Sequence, residues 1–231
     1  MINLQSAKTA APGETVVGAR GAGYTAIFDP GALVATAGVR RGIAEDVEVD
    51  AEASWARIDQ AGYGDLDRNI YAARVGAKIA RKSGWLAAFG GVGGGYAPVA
   101  GAFSAVDAGV ALSYPNCYVV PFTNLAALGS LPIGAKQVDF RNATDGTVVA
   151  SSKATFTYGV GWGGGVEVPL DRTRCRQGLT PARLQLGISS FTLFPGDGNV
   201  TRTPYSGDTT VESTSGRYGV IGLALGVEVP F

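Results

Sequence analysis

The chain has 231 residues, enough for one large domain or two small ones, and carries 19 Lys+Arg against 19 Asp+Glu. That balance leaves no electrostatic footprint for nucleic acid, and the absence of histidine removes the commonest general base and metal ligand. The 35 glycines are about twice average usage and follow no collagen period, so they must serve turns, crowded backbone or small-residue faces.

The opening MINLQSAKTAAPGET has no basic region followed by an apolar core, so it does not read as a secretory signal. No run of about 18 apolar residues encodes a spanning helix. Beyond it the period is two almost everywhere, the mark of strands whose faces alternate. A first strand is expected over 15–28. The second, 33–41, sets Leu33, Ala35, Ala37 and Val39 against Val34, Thr36, Gly38 and Arg40. In 47–55, Val47, Val49, Ala51, Ala53 and Trp55 oppose Glu48, Asp50, Glu52 and Ser54. In 71–81, Tyr71, Ala73, Val75, Ala77 and Ile79 oppose Ala72, Arg74, Gly76 and Lys78.

Less regular strands are expected over 85–96, 103–114 and 118–128, with only 125–128 hinting at helix. The glycine run 90–95 superficially resembles a phosphate loop, but no helix follows it and no βαβ unit surrounds it, so it reads as strand. Over 155–170, Phe156, Tyr158, Val160, Trp162, Val166, Val168 and Leu170 face away from Gly159, Gly161, Gly163, Gly165 and Glu167. In 182–194, Leu184, Leu186 and Ile188 oppose Arg183, Gln185, Gly187 and Ser189. The last strand, 219–231, sets Ile221, Leu223, Leu225, Val227, Val229 and Phe231 against Gly222, Ala224, Gly226 and Glu228. Ten strands result, eight and twelve remaining open. Short links (42–46, 82–84, 115–117) and a medium one (171–181) largely alternate with long polar ones (59–69, 129–153, 195–215), as in an up-and-down antiparallel barrel, the brief links 29–31 and 98–102 departing from the pattern.

Period alone does not say which face is wet. A soluble barrel holding an apolar ligand would alternate in the same way. Three features favour lipid outside. The second face is mostly Gly, Ala, Ser and Thr, too small and too weakly charged for a surface in water. Its charges are complementary between neighbours: Glu48, Asp50 and Glu52 lie opposite Arg74 and Lys78, and Glu167 and Glu228 flank Arg183, with Arg20, Arg40 and Asp107 on the same face. Aromatic residues gather at strand ends (Trp55, Tyr71, Trp85, Tyr96, Tyr114, Tyr118, Phe231), where interfacial girdles form.

On these residues the chain resembles the small Gram-negative outer-membrane β-barrels of the OmpA- and OmpW-like class. Leu223, Leu225, Val227, Val229 and the terminal Phe231 look like the insertion signal of that class, and 39–49 looks like a strand–tight turn–strand at the periplasmic rim. Gly165-Val-Glu-Val-Pro-Leu170 looks like the close of a descending strand. The resemblance implies a transmembrane antiparallel barrel over 14–231, a periplasmic segment over 1–13, and an outer-membrane location with a signal peptide already removed. It implies as partners the lipid and lipopolysaccharide of that membrane, the barrel-assembly machinery, and envelope proteins met by the loops or the periplasmic rim. No nucleic acid, cofactor or metal is expected.

Glu48, Asp50, Glu52, Arg74, Lys78, Arg40, Glu167, Arg183 and Glu228 are then a lumenal network, either a plug of paired charges or the lining of a narrow channel for ions or small polar solutes. Outer-membrane enzymes of similar build are expected to need a histidine, which is absent, and no serine stands in a nucleophile context. Cys117 and Cys175 fall in two links at one rim, so an envelope location makes them a candidate disulfide, free thiols being the alternative.

Overall fold

The computed structural model describes residues 4–26, 31–59, 68–81, 84–98, 100–141, 147–196, 198–202, 210–214 and 218–231. Strands β1 (Thr15–Ala26), β2 (Gly31–Ala44), β3 (Val47–Asp59), β4 (Asn69–Ala80), β5 (Leu86–Ala97), β6 (Gly101–Ser113) and β7 (Val120–Ile133) follow in turn. A hairpin, β8 (Gln137–Arg141) and β9 (Val148–Lys153), leads to β10 (Thr157–Pro169), helix α1 (Arg172–Arg176) and β11 (Arg183–Pro195). A second hairpin, β12 (Gly198–Arg202) and β13 (Thr210–Thr214), precedes β14 (Tyr218–Pro230). The ten long strands form a closed barrel in the order β1-β14-β11-β10-β7-β6-β5-β4-β3-β2, every pair antiparallel. Closure leaves no unpaired edge. Strands of 12 to 14 residues exceed the roughly 9–11 that cross a bilayer at a tilt.

The apolar face points out. Leu223 and Leu225 are 67% and 63% exposed, and Val75, Ile79, Val92, Val106, Leu125 and Leu186 share the same surface. Glu48, Lys78 and Arg183 are 2–3% exposed inside. A water-soluble barrel needs the reverse arrangement, so the soluble alternative with an apolar ligand in its core is excluded. Hydrocarbon is the solvent that such a belt fits.

Two polar side chains on the belt are bonded locally. Trp162 Nε1 donates to Thr123 Oγ1 at 2.8 Å, and Thr123 Oγ1 donates to the Gly163 carbonyl at 2.9 Å. Aromatic girdles stand near both ends. Trp55, Tyr71 and Tyr96 are register neighbours across β3, β4 and β5. Toward the rim that carries Phe231, the cations of Arg81 and Arg172 lie over the rings of Trp85 and Tyr118.

Three expectations about links need correcting. The span 129–153 holds the end of β7, then β8 and β9, and 195–215 holds β12 and β13. These short strands form a separate four-stranded sheet, β13-β12-β9-β8, beyond the barrel. Outside the bilayer a strand needs no continuous apolar face, so no hydrophobic period marks it. The span 171–181 holds α1, whose first N–H groups at Thr173 and Arg174 are capped by Asp171, although the sequence offered no helix there. Residues 60–67, 142–146, 203–209 and 215–217 of the long links lie outside the described residues.

Leu225→Arg, at the middle of the belt, is expected to cost about 2–4 kcal/mol in folding free energy in phospholipid vesicles, measured by denaturant titration. A change below about 0.5 kcal/mol, normal for a water-exposed site, contradicts a lipid-facing Leu225.

Candidate functional site

The bore is where the charges meet. β3 and β4 lie side by side, and their register puts Glu48 opposite Lys78, Asp50 opposite Gly76 and Glu52 opposite Arg74. Lys78 Nζ reaches Glu48 Oε1 at 2.7 Å. Arg74 donates from Nε and Nη2 to both oxygens of Asp107 at 2.6 and 2.8 Å, and from Nη1 to Asp50. On the opposite wall, Arg183 Nη1 donates to Glu167 Oε2 at 2.9 Å. Glu228 lies opposite Arg183 in register, yet it accepts from Arg40 Nη2 at 2.6 Å, and Arg40 Nη1 also reaches Glu48 at 2.9 Å. Arg20 pairs with Glu52 at 3.1 Å.

Three of these pairs skip a strand. Arg74 on β4 reaches Asp107 on β6, Arg20 on β1 reaches Glu52 on β3, and Arg40 on β2 reaches Glu228 on β14. Each skipped strand carries a glycine at the crossing. A Cβ on Gly91 would sit 2.6 Å from Arg74 Cζ, one on Gly38 2.9 Å from Glu52 Cγ, and one on Gly18 3.1 Å from Glu228 Cγ. In each case that glycine is also the register partner of the acid: Gly91 of Asp107, Gly38 of Glu52, Gly18 of Glu228. The glycine face therefore leaves room for ion pairs laid flat against the wall. Paired in this way, charges in a desolvated bore are tolerated.

The segment expected as 1–13, outside the barrel, does not stay outside: residues 4–11 lie in the bore. Ten strands enclose more space than eight, whose interior side chains just fill, and small wall residues enlarge it further. The segment occupies that space. Leu4, 3% exposed, sits in a socket of two glycines, its Cδ2 2.5 Å from a Cβ built on Gly163 and its Cδ1 2.8 Å from one on Gly187, beside Phe122 and Ala224. Ala7 packs among Ala80, Ala87, Phe89, Ala111 and Ala126.

Wall side chains bind the segment through its main chain. Arg20 Nη1 and Gln185 Nε2 donate to the Leu4 carbonyl at 2.8 and 3.1 Å, and Asn124 Nδ2 donates to Gln5 O at 3.5 Å. Lys78 Nζ donates to the Ser6 and Lys8 carbonyls at 3.3 and 2.8 Å. Glu48 accepts from Ala10 N at 2.7 Å and Thr180 Oγ1 from Ala11 N at 2.9 Å. At the rim Pro12 pairs with Gly42, where a Cβ would come within 2.3 Å of the Ala11 carbonyl. Glu14 accepts from Thr180 N and Arg174 on the α1 link, and a disulfide between Cys117 and Cys175 ties that link to the β6–β7 turn. Cavities of about 30 and 40 Å³ remain beside the segment, room for a few waters.

Sequence reasoning did not find Leu4, Asn124, Gln185 or the crossing glycines as parts of this site. Gln185 and Asn124 carried a readable signal, because each is a polar residue on an inward strand face. A main-chain-bound segment carries none.

No protein-family model matches the chain, and no curated protein does. Among solved structures, it is similar to Neisserial surface protein A (12% identity over 94% of this chain and 96% of that one, TM-score 0.37). An outer membrane channel from Pseudomonas putida F1 matches at 10% identity over the whole of both chains, TM-score 0.49. The β domain of the Bordetella autotransporter BrkA matches at 11% over 96% of this chain and all of that one, TM-score 0.48. The likeness is distant, and the closed barrel is established by this chain's own strand register.

Arg74→Ala leaves Asp50 and Asp107 without their base and is expected to cost about 3–5 kcal/mol. Gly91→Ala displaces the same guanidinium and is expected to cost about 1–3 kcal/mol. Made in the Arg74→Ala background, Gly91→Ala should cost far less, by a double-mutant cycle on unfolding in detergent. Additive effects would show that Gly91 does not serve the Arg74 crossing.

Proposed function

We propose that the protein is an outer-membrane barrel acting as a structural and interaction component of the cell envelope, with its bore closed. The rim carrying Phe231 and the α1 link faces the periplasm and the four-stranded sheet faces outward. The observation that carries this reading is the filled bore, where residues 4–11 and the paired charges sit beside inner cavities of about 30 and 40 Å³, with a larger one of about 210 Å³ where Lys8–Pro12 meet the α1 link at the rim. Binding then falls to what lies outside the bilayer, and loops on a rigid scaffold commonly carry it. In this reading the four-stranded sheet and the disulfide-tied α1 link are the surfaces that meet envelope partners.

The exposed run Leu223, Leu225, Val227, Val229 and Phe231 contributes to the belt and is read as the address for the barrel-assembly machinery. Outer-membrane lipid and lipopolysaccharide surround the belt. The chain has no histidine and no nucleophile constellation, which supports a non-enzymatic role.

A channel for ions or small polar solutes is the second reading, favoured by the charged lining of the smaller cavity, where Arg20, Arg40, Glu48, Lys78 and Glu228 meet. Recording the intact protein in planar bilayers separates the two. Insertion without resolvable current steps is expected, and reproducible steps would replace the closed barrel with the channel.

A further inference from the structure

We propose that the bore is a binding site for a polypeptide main chain, that residues 4–11 are its built-in ligand, and that this ligand exchanges with a free peptide of matching sequence. The proposal builds on the closed-barrel reading and assigns the occupant and its chemistry.

The wall recognises a peptide by its backbone. Donors stand where the segment presents carbonyls: Arg20 and Gln185 at Leu4, Asn124 at Gln5, and Lys78 at Ser6 and Lys8. Acceptors stand where it presents N–H groups, Glu48 at Ala10 and Thr180 at Ala11. Buried main-chain groups need such partners whatever the side chains are, and main-chain bonding combined with a few side-chain pockets is how extended peptides are held elsewhere. Selectivity comes from two places. The glycine socket of Gly163 and Gly187 takes one aliphatic side chain, Leu4. The walls around Ala7 and Ala10, which are 0% and 1% exposed, admit only small residues. The ligand class is therefore a peptide with a large aliphatic residue followed by small residues three and six positions later.

Emptying the site does not strand a wall charge. Lys78 keeps Glu48, Glu48 keeps Arg40 as well, Arg20 keeps Glu52, and Gln185 keeps its 3.4 Å contact to Glu167. The bore that remains is polar and wettable, so the barrel does not depend on the segment for its own pairing. Departure hinges at the rim, where Gly13 N donates to the Gly42 carbonyl at 2.8 Å and Glu14 stays anchored to Thr180 and Arg174.

The test uses a barrel lacking residues 1–11 and a fluorescent synthetic peptide of residues 1–12, MINLQSAKTAAP. Folding of the shortened barrel is checked by heat-modifiable gel migration, and binding is read by anisotropy in detergent. Saturable binding to the shortened barrel is expected, with much slower uptake by the intact protein. A peptide carrying Leu4→Asp is expected to bind about tenfold more weakly or worse, the worth of one buried leucine side chain, and one carrying Ala7→Trp not at all. A folded shortened barrel that ignores the peptide, or that takes a scrambled one equally well, overturns the proposal.

If the shortened barrel does not fold, the intact chain carrying Ser6→Cys serves instead. Excess unlabelled peptide should accelerate modification of that thiol by a water-soluble reagent, because it captures the vacated bore; an unchanged rate overturns exchange. Neither readout uses current, so a conducting intact barrel would overturn the closed state without deciding peptide binding.

Discussion

Hydrocarbon offers a peptide group no hydrogen bond, and this one limitation organises the molecule. A sheet placed in it has to close on itself, and ten antiparallel strands do so through the β1–β14 pairing. Once closed, every strand has one face in lipid and one in the bore. The lipid face must be apolar, which places Leu223, Leu225, Val75 and Ile79 in positions that would be costly in water. On that face the Trp162 indole donates to Thr123, which donates to the Gly163 carbonyl.

The inner face answers a different demand. Its charges are largely buried and must find partners, and neighbouring strands do not always supply one. Glycine at Gly18, Gly38 and Gly91 lets a side chain cross a strand to the one beyond, so that Glu228, Glu52 and Asp107 each meet an arginine two strands away. The same smallness enlarges the bore, and the Leu4–Ala11 stretch fills what is left. Glycine thus supports both the charge network and the seat of the N-terminal segment. It socket-fits Leu4 at Gly163 and Gly187, and it lets the chain pass the rim at Gly42.

The barrel was legible because two solvents write a clean period of two. Strands 47–55, 71–81, 182–194 and 219–231 lie within or closely match β3, β4, β11 and β14, with their faces correctly divided. The four-stranded sheet left no such trace, since β8, β9, β12 and β13 lie outside the barrel. Pairing was partly legible: Lys78 with Glu48 and Arg183 with Glu167 follow from adjacent strands. Glu228 was assigned to its register neighbour Arg183 but bonds Arg40, because Gly18 opens the route across β1. The N-terminal segment was the largest miss. Held through its carbonyls and N–H groups, it needs only small residues and one leucine, a composition that looks like an ordinary polar terminus.

Trp162 gives the most direct measurement of which solvent meets the outer face. With Trp55 and Trp85 replaced by phenylalanine, the fluorescence of Trp162, 46% exposed on β10, should be quenched by lipids brominated on their acyl chains and spared by aqueous iodide. Quenching by iodide with no response to the brominated chains would contradict a lipid-facing belt, and with it the lumenal assignment of the glycines, the charges and the N-terminal segment.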